Sequence, residues 1–450
     1  MIAGYVSTLM STSPPPISVA EAMARSGFYP GHPPVTVRET HTAWVFLAGE
    51  HAYKVKKPVR MAFLDFSTLE RRRRVCEDEL RVNRELAPQL DMRLRAIVLR
   101  ADSYVLADPD AEHAVEYALQ MRRFDEQRTM AALVERDELG DEQIRAVARR
   151  LAAFHEQARP AGPRDPVGDV KRTWDHNMCE LLALADDETA RRALAADRFA
   201  GTFVLARRGT LRDRAQAGRI RDGHGDLRAE HVVLEESLMI VDRLEFNAAL
   251  REIDVADDLA FLAMDLERLG AGSAARLLVA AYRDAGGDPG DDALLAYYGA
   301  YRALVRAKVD LLRAAQLAGV GNDADADAAR AARTDADALL DLAERLAWRA
   351  RGPLVLAIGG PPASGKSTLA AELARRSGVP VLSSDVLRKQ HRGLELRARA
   401  PDADYTPSAR AAVYRELGEC ARASCADGES AIVDATFGDR RLRAAFLAGL

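Results

Sequence analysis

Two stretches of this 450-residue chain set chemically competent side chains at informative intervals. The first is Gly223–Glu245, GHGDLRAEHVVLEESLMIVDRLE. A tight His224-Gly225-Asp226 turn presents one carboxylate, and a short apolar strand follows at His231–Leu234. After a polar turn a second strand, Leu238–Val241, ends on Asp242. Strands joined by a short turn lie side by side, so Asp226 and Asp242 are expected at one edge of the pair. Phosphoryl transfer uses two such groups, one to accept the attacking hydroxyl's proton and one to hold a metal against the phosphates. Two solvated aspartates on a loop would be the plain alternative; the turn, the strand pair and the terminal Asp242 together argue for the catalytic one.

The second stretch is Gly360–Ser367, GPPASGKS, which satisfies GxxxxGK[ST] between the apolar run Pro353–Ile358 and a helix. In that context Gly360, Pro361, Pro362, Ala363, Ser364 and Gly365 form a phosphate loop that leads into Lys366, Ser367 and Thr368. Amides at the helix start bind phosphate oxygens, Lys366 reaches the β and γ phosphates, and Ser367 holds magnesium. A second strand, Pro380–Ser383, leads to Asp385, which is placed to orient an acceptor hydroxyl. A third, Ala431–Val433, ends on Asp434, which could hold a magnesium-bound water.

Elements must carry these groups. A short helix is expected over Ile17–Phe28, then strands at Val35–Glu39, Ala43–Leu47 and Ala52–Val55. Ser67-Thr68-Leu69-Glu70 reads as a capping box opening a helix to about Ala87. Further strands are expected at Ile97–Arg100, Tyr104–Ala107 and Val115–Phe124. From Thr129 to about Arg349 the pattern is helical, interrupted by the strand pair around His231–Val241. Asn322–Ala329 reads as a turn into the last of these helices.

Composition bounds the function. Lys plus Arg (64) nearly balances Asp plus Glu (68), and a net charge of −4 argues against a general polyanion binder. Four cysteines, Cys76, Cys179, Cys420 and Cys425, form no CxxC pair, so neither zinc nor a disulfide framework is implied and a reducing cytoplasm fits. No apolar run reaches the roughly 18 residues of a membrane span, and the N-terminus lacks a basic signal-peptide region. Residues 1–16 read as a flexible leader, with Met10 a second candidate start. A composition shift near residue 350 divides the remainder into 17–350 and 351–450.

The Gly223–Glu245 stretch resembles the catalytic segment of the aminoglycoside phosphotransferase and choline kinase group, which shares the protein-kinase fold. The resemblance implies a small lobe whose third strand carries a lysine for the α and β phosphates, oriented by a helix glutamate. Ala52-Tyr53-Lys54 resembles the kinase Val-Ala-Ile-Lys strand, which selects Lys54, with Lys56 as its rival on the same face. On a helical wheel over Ser67–Ala87, Glu79 falls inside the apolar sector of Leu69, Val75, Cys76, Leu80 and Leu86, while Asp78 and Glu85 point away. No GxGxxG joins the first two strands; Thr40-His41-Thr42 stands there, and Gln120–Arg123 would be the adenine-reading hinge. His155 reads as a structural helix residue and Asp254 as a structural anchor.

One position departs from the group. Its motif is HGDxxxxN, with the Asn donating an oxygen to the metal, but this chain has His231 there. Magnesium prefers oxygen, whereas imidazole suits softer ions such as manganese. Three readings stay open: Glu230, Glu245 or Asn247 substitutes, the metal preference changes, or the site is weak.

The C-terminal features resemble P-loop small-molecule and polynucleotide kinases, including gluconate kinase, chloramphenicol phosphotransferase and zeta-toxin-like enzymes. The whole chain resembles bacterial tandem proteins with an aminoglycoside-phosphotransferase-like domain fused to a P-loop kinase-like domain. The implied fold is an α+β protein-kinase-like two-lobed domain followed by an α/β P-loop NTPase domain. The implied activity is transfer from ATP, with magnesium, to a hydroxyl of a small polar molecule. Two alternatives belong to other classes: a regulatory ATP-binding protein, and a nucleic-acid end kinase hinted at by Arg388, Arg392 and Arg397. After Asp434 only one helix, about Asp439 to Ala448, is expected, without the further strands and arginine-bearing lid usual in such kinases. The expectation is a truncated P-loop domain, or one whose apolar edge strand is covered by another chain.

Overall fold

The computed structural model describes residues 17–40, 42–60, 64–100, 102–318, 323–395, 401 and 405–450. The leader, His41, Asn322 and Arg397 lie outside the described residues. The chain divides into two compact units, Met1–Val147 with His224–Arg251, and Ala148–Gly223 with Glu252–Leu450.

The first unit opens with a short helix α1 (Val19–Met23) and three strands, β1 (Val35–Glu39), β2 (Ala43–Ala48) and β3 (His51–Lys56). Helix α2 (Leu69–Asn83) follows, then β4 (Arg93–Arg100), β5 (Ser103–Ala107) and β6 (Ala114–Arg122). These strands make one six-stranded antiparallel sheet in the order β1-β2-β3-β6-β4-β5. Alternation puts successive side chains on opposite faces. Tyr117, Leu119, Ala96 and Val98 share one apolar cluster with Cys76 of α2, whereas Ala118 and Ile97 face Met23 and Tyr29 on the other side. The expected capping box shifts by one residue. Thr68 is the cap, accepting from the Arg71 amide, while the Ser67 hydroxyl donates to Asp65. Thr68 is the last residue with extended backbone, so its hydroxyl is the one within reach of the free amides.

Helices α3 (Met130–Glu135) and α4 (Asp141–Gln157) lead on to α5 (Pro166–Leu184), α6 (Asp187–Ala206) and α7 (Arg208–Gln216). Strand β7 (Ile220–Asp222) precedes the hairpin β8 (Val232–Leu234) and β9 (Leu238–Ile240), which belongs to the first unit. Strand β10 (Glu252–Asp254) pairs antiparallel with β7 in the second unit. Three-residue strands have too little periodicity to stand out in a sequence, and this pair was not expected. The helical part of the second unit continues through α8 (Val255–Arg268), α9 (Gly272–Asp284), α10 (Asp292–Ala318) and α11 (Asp323–Arg349). Its core is an aromatic column in which Tyr297 stacks on Phe203 at 4.4 Å and on Trp174 at 5.5 Å between ring centroids.

The last segment is a parallel sheet, β11 (Val355–Ile358), β12 (Val381–Ser383) and β13 (Ala431–Asp434), in the order β11-β13-β12. Its helices are α12 (Lys366–Ser377), α13 (Ser384–Gln390), α14 (Pro407–Ala426) and α15 (Arg440–Gly449). All four residues of the central β13 are buried; on β11 only Ile358 is, because that strand pairs on one side among the described residues.

Candidate active sites

The first site is built on β3, α2 and the β8–β9 hairpin. Lys54 and Lys56 are two residues apart on β3 and so leave it on the same face. Glu79 of α2, with a side chain only 2% exposed, receives both: Lys54 Nζ lies 2.8 Å from Oε1 and Lys56 Nζ 2.6 Å from Oε2. Glu79, which the helical wheel places inward, is thus the α2 carboxylate that meets both lysines. Lys54 also donates to Asp242 Oδ1 at 2.9 Å. Burial pulls the Lys54 ammonium down, but Asp242 and Glu79 outweigh it and hold it well above its ordinary value. The same Lys54 charge holds the Asp242 carboxyl well below the usual carboxylate range. Asp242 sits at φ 58°, the left-handed region that non-glycine residues rarely occupy. Strain of this kind persists where the surroundings impose it, and here it turns the carboxylate toward Lys54.

His224 explains how the two aspartates come together. It is fully buried; Nε2 donates to the Val241 carbonyl at 2.9 Å and Nδ1 accepts from the Asp226 amide at 3.3 Å. One imidazole thus ties the Asp226 turn to the residue before Asp242, its tautomer assigned from its partners. Gly225 at φ 85° allows the turn: a Cβ there would meet the Leu250 carbonyl oxygen at 3.2 Å. His231 lies between the carboxylates, with Nδ1 donating to the Asp226 carbonyl at 2.8 Å and Nε2 4.0 Å from Asp242 Oδ2. Arg228 was not anticipated. Its guanidinium lies 3.0–3.2 Å from both Asp226 carboxylate oxygens, 3.1 Å from His231 Nε2, and also engages Glu230. Glu245 pairs with Lys56 at 2.5 Å. The Thr40 hydroxyl is engaged within its own turn by the Ala43 amide, and the Arg123 amide donates to the Glu50 carbonyl.

The second site is the Gly360–Thr368 loop. A Cβ on Gly360 would come within 2.8 Å of Ser364 Oγ, and Gly365 caps α12 at φ 84° with no side chain on the helix's first amides. Lys366 Nζ donates back to the Pro361 carbonyl at 3.2 Å. Ser367 Oγ donates to Asp434 Oδ2 at 2.7 Å, while Asp434 Oδ1 is buried without a partner. A buried, unpartnered carboxylate oxygen beside a hydroxyl is a donor set that fits a magnesium ion. Asp385, in the first turn of α13, is met by Lys389 at 2.6 Å and Arg388 at 3.6 Å. In the second unit, His155 bridges Tyr282 at 2.8 Å and Asp258 at 3.1 Å, and Asp254 caps α8 and pairs with Arg214 at 2.7 Å.

Two uncharacterized proteins, from Mycobacterium tuberculosis strain ATCC 25618 / H37Rv and Mycobacterium bovis, are each 36% identical over 422 residues, 92% of this chain and 80% of theirs. The chain belongs to their family. A family described as an AAA domain matches residues 354–450, the segment with the phosphate loop. Among solved structures the chain is similar to a choline/ethanolamine kinase family protein from Mesorhizobium loti, with 15% identity and a TM-score of 0.42 over 71% of this chain and 94% of that one. It is also similar to an aminoglycoside phosphotransferase from Alicyclobacillus acidocaldarius, with 14% identity and a TM-score of 0.37 over 76% and 98%. In this family member the protein-kinase-like fold is carried by its own sheet order and by the Lys54–Glu79–Asp242 arrangement. The P-loop domain follows it. No helix among the described residues is long and apolar enough to cross a membrane.

Proposed function

We propose that this protein is an ATP-dependent phosphotransferase with two separate nucleotide sites, acting on a hydroxyl of a small polar molecule. The observation that carries the reading is Lys54, held between buried Glu79 and the strained Asp242 on the far side of the same unit. In the N-terminal site Lys54 holds the α and β phosphates, Glu79 orients it, and Asp226 accepts the acceptor hydroxyl's proton. Asp242, with His231 beside it, would hold a divalent ion. In the second site Lys366 reaches the phosphates, Ser367 and Asp434 would hold magnesium, and Asp385 orients an acceptor hydroxyl. Bound at either place, the ion offsets the negative charge of the phosphates. Four free cysteines suit a reducing, cytoplasmic setting.

The test is a panel of small hydroxyl compounds with labelled ATP, run on the wild-type chain and its Lys366→Ala and Asp226→Asn variants. Calorimetry should show two nucleotide-binding events in the wild type and one in Lys366→Ala; a single event in the wild type would refute two sites. A second reading is favoured by Arg228, which occupies both oxygens of the proposed base. In that reading the N-terminal site binds ATP as a regulatory device and transfers phosphate weakly. Binding without transfer across the panel would select it.

The metal preference gives a further prediction. Nδ1 of His231 is committed to the Asp226 carbonyl, so Nε2 is the nitrogen that would face an ion, in exchange for the Arg228 guanidinium now 3.1 Å from it. With manganese the wild-type N-terminal site should perform relatively better than His231→Asn, and the variant should shift toward magnesium. Identical metal profiles would show that His231 only braces the loop.

A further inference from the structure

Glu79 is shared by two lysines that differ in accessibility. The Lys54 side chain is 17% exposed and that of Lys56 only 2%, with its ammonium 5.7 Å from the centre of the Phe66 ring. Lys54 reaches Asp242, whose side chain is 53% exposed; Lys56 reaches Glu245, whose side chain is 12% exposed. The result is a continuous ionic ladder, Asp242–Lys54–Glu79–Lys56–Glu245, joining β3, α2 and the segment after β9.

We propose that Lys56 is a positioning residue that pins Glu79, and with it α2, in the engaged position whether or not nucleotide is bound, leaving Lys54 to exchange partners with phosphate. This rests on the reading of the N-terminal site as a nucleotide site. The argument is one of burial. A carboxylate as enclosed as Glu79 cannot be left without a cation at modest cost. When Lys54 turns toward a phosphate, Lys56 still compensates Glu79. Asp242 is half exposed, so water or an ion can replace Lys54 there. Lys56 has no such freedom, because both of its partners are enclosed. In a site with a single lysine, the helix glutamate is held only as well as that lysine is. Here the second lysine separates holding the helix from holding the substrate.

Hydrogen exchange on the full chain without nucleotide tests this. In Lys54→Met, amides of α2 should keep wild-type protection. In Lys56→Met they should exchange faster by on the order of tenfold or more, since enclosed Glu245 then keeps no lysine and Glu79 must share Lys54 with Asp242. Because Lys56→Met leaves Glu245 without its lysine and could fold poorly, Lys56→Met/Glu245→Gln removes the pair together and should loosen α2 in the same local way. Equal loosening in Lys54→Met and Lys56→Met, loosening spread evenly over β4 and β6, or none in either Lys56 variant overturns the proposal. In a Lys366→Ala background Lys54→Met should also lose ATP binding, whereas the Lys56 double variant should retain it with Kd raised on the order of tenfold. If the Lys366→Ala chain binds no nucleotide at all, the N-terminal reading fails, and the nucleotide-free comparison still decides the role of Lys56.

Discussion

Replacing Asp226 with asparagine should cut transfer at the N-terminal site by at least about 10²-fold, the scale of a lost general base, with ATP affinity near wild type. The geometry makes this a clean substitution. His224 holds the turn through the Asp226 backbone amide, and His231 holds it through the Asp226 carbonyl, so neither brace uses the carboxylate. The side chain meets Arg228 through both oxygens, and the amide oxygen of asparagine can keep one of these contacts. Nucleotide contacts are assigned to Lys54, Glu79 and Asp242, which the change does not touch. Steady-state transfer from labelled ATP, measured in the Lys366→Ala background to silence the second site, provides the readout. Turnover equal to that of the parent would remove Asp226 from the chemistry.

How far the sequence carried the assignment differs from residue to residue. The phosphate loop was legible because GxxxxGK[ST] is a local pattern: Gly360 and Gly365 are required by sterics within a few residues of themselves. The six strands and α2 were legible from alternation and from the apolar sector that placed Glu79 inward. The resemblance selected Lys54 over Lys56, but the division between the two lysines was not legible. Both lysines share one carboxylate, and what separates them is Glu245, some 190 residues away in sequence. Arg228 escaped notice because arginine is abundant here, with Lys plus Arg at 64, and nothing in its spacing distinguishes it from a surface charge. Its engagement of Asp226, two residues before it, depends on the backbone path of the turn. The β7–β10 pair was missed for lack of length, although it brackets the β8–β9 hairpin in the sequence and gives the second unit a continuous frame across that insertion.

The acidic run after that pair leads to the second large effect, which concerns stability. Asp254, Asp257 and Asp258 crowd the start of α8, and all three are buried. Each has a different partner: Arg214, Arg302 and His155. Arg302 is bidentate, with Nε 2.7 Å from Asp257 Oδ1 and Nη2 2.9 Å from Oδ2. Arg302→Met should therefore destabilise the second unit by about 3–5 kcal/mol, the cost of leaving a buried charge without its partner. The loss should depend on pH. Burial pushes the Asp257 carboxyl up, Arg302 opposes this, and Asp254 and Asp258 add to the rise, leaving it above its ordinary value. A carboxyl raised in the folded state contributes fully below its unfolded value, near about 4, and its contribution is lost as pH rises through the folded value. Removing Arg302 takes away the opposition, so the folded value climbs and the window of loss widens upward. The melting deficit of Arg302→Met relative to wild type should be largest near neutral pH and shrink as pH is lowered toward about 5, where the buried carboxyl can be protonated. Arg302→Met/Asp257→Leu, which removes the pair as a unit, should recover most of the deficit and flatten its pH dependence. A deficit in Arg302→Met that stays constant with pH would assign the loss to packing of the Arg302 side chain over the Phe261 ring, 4.7 Å away, and not to Asp257.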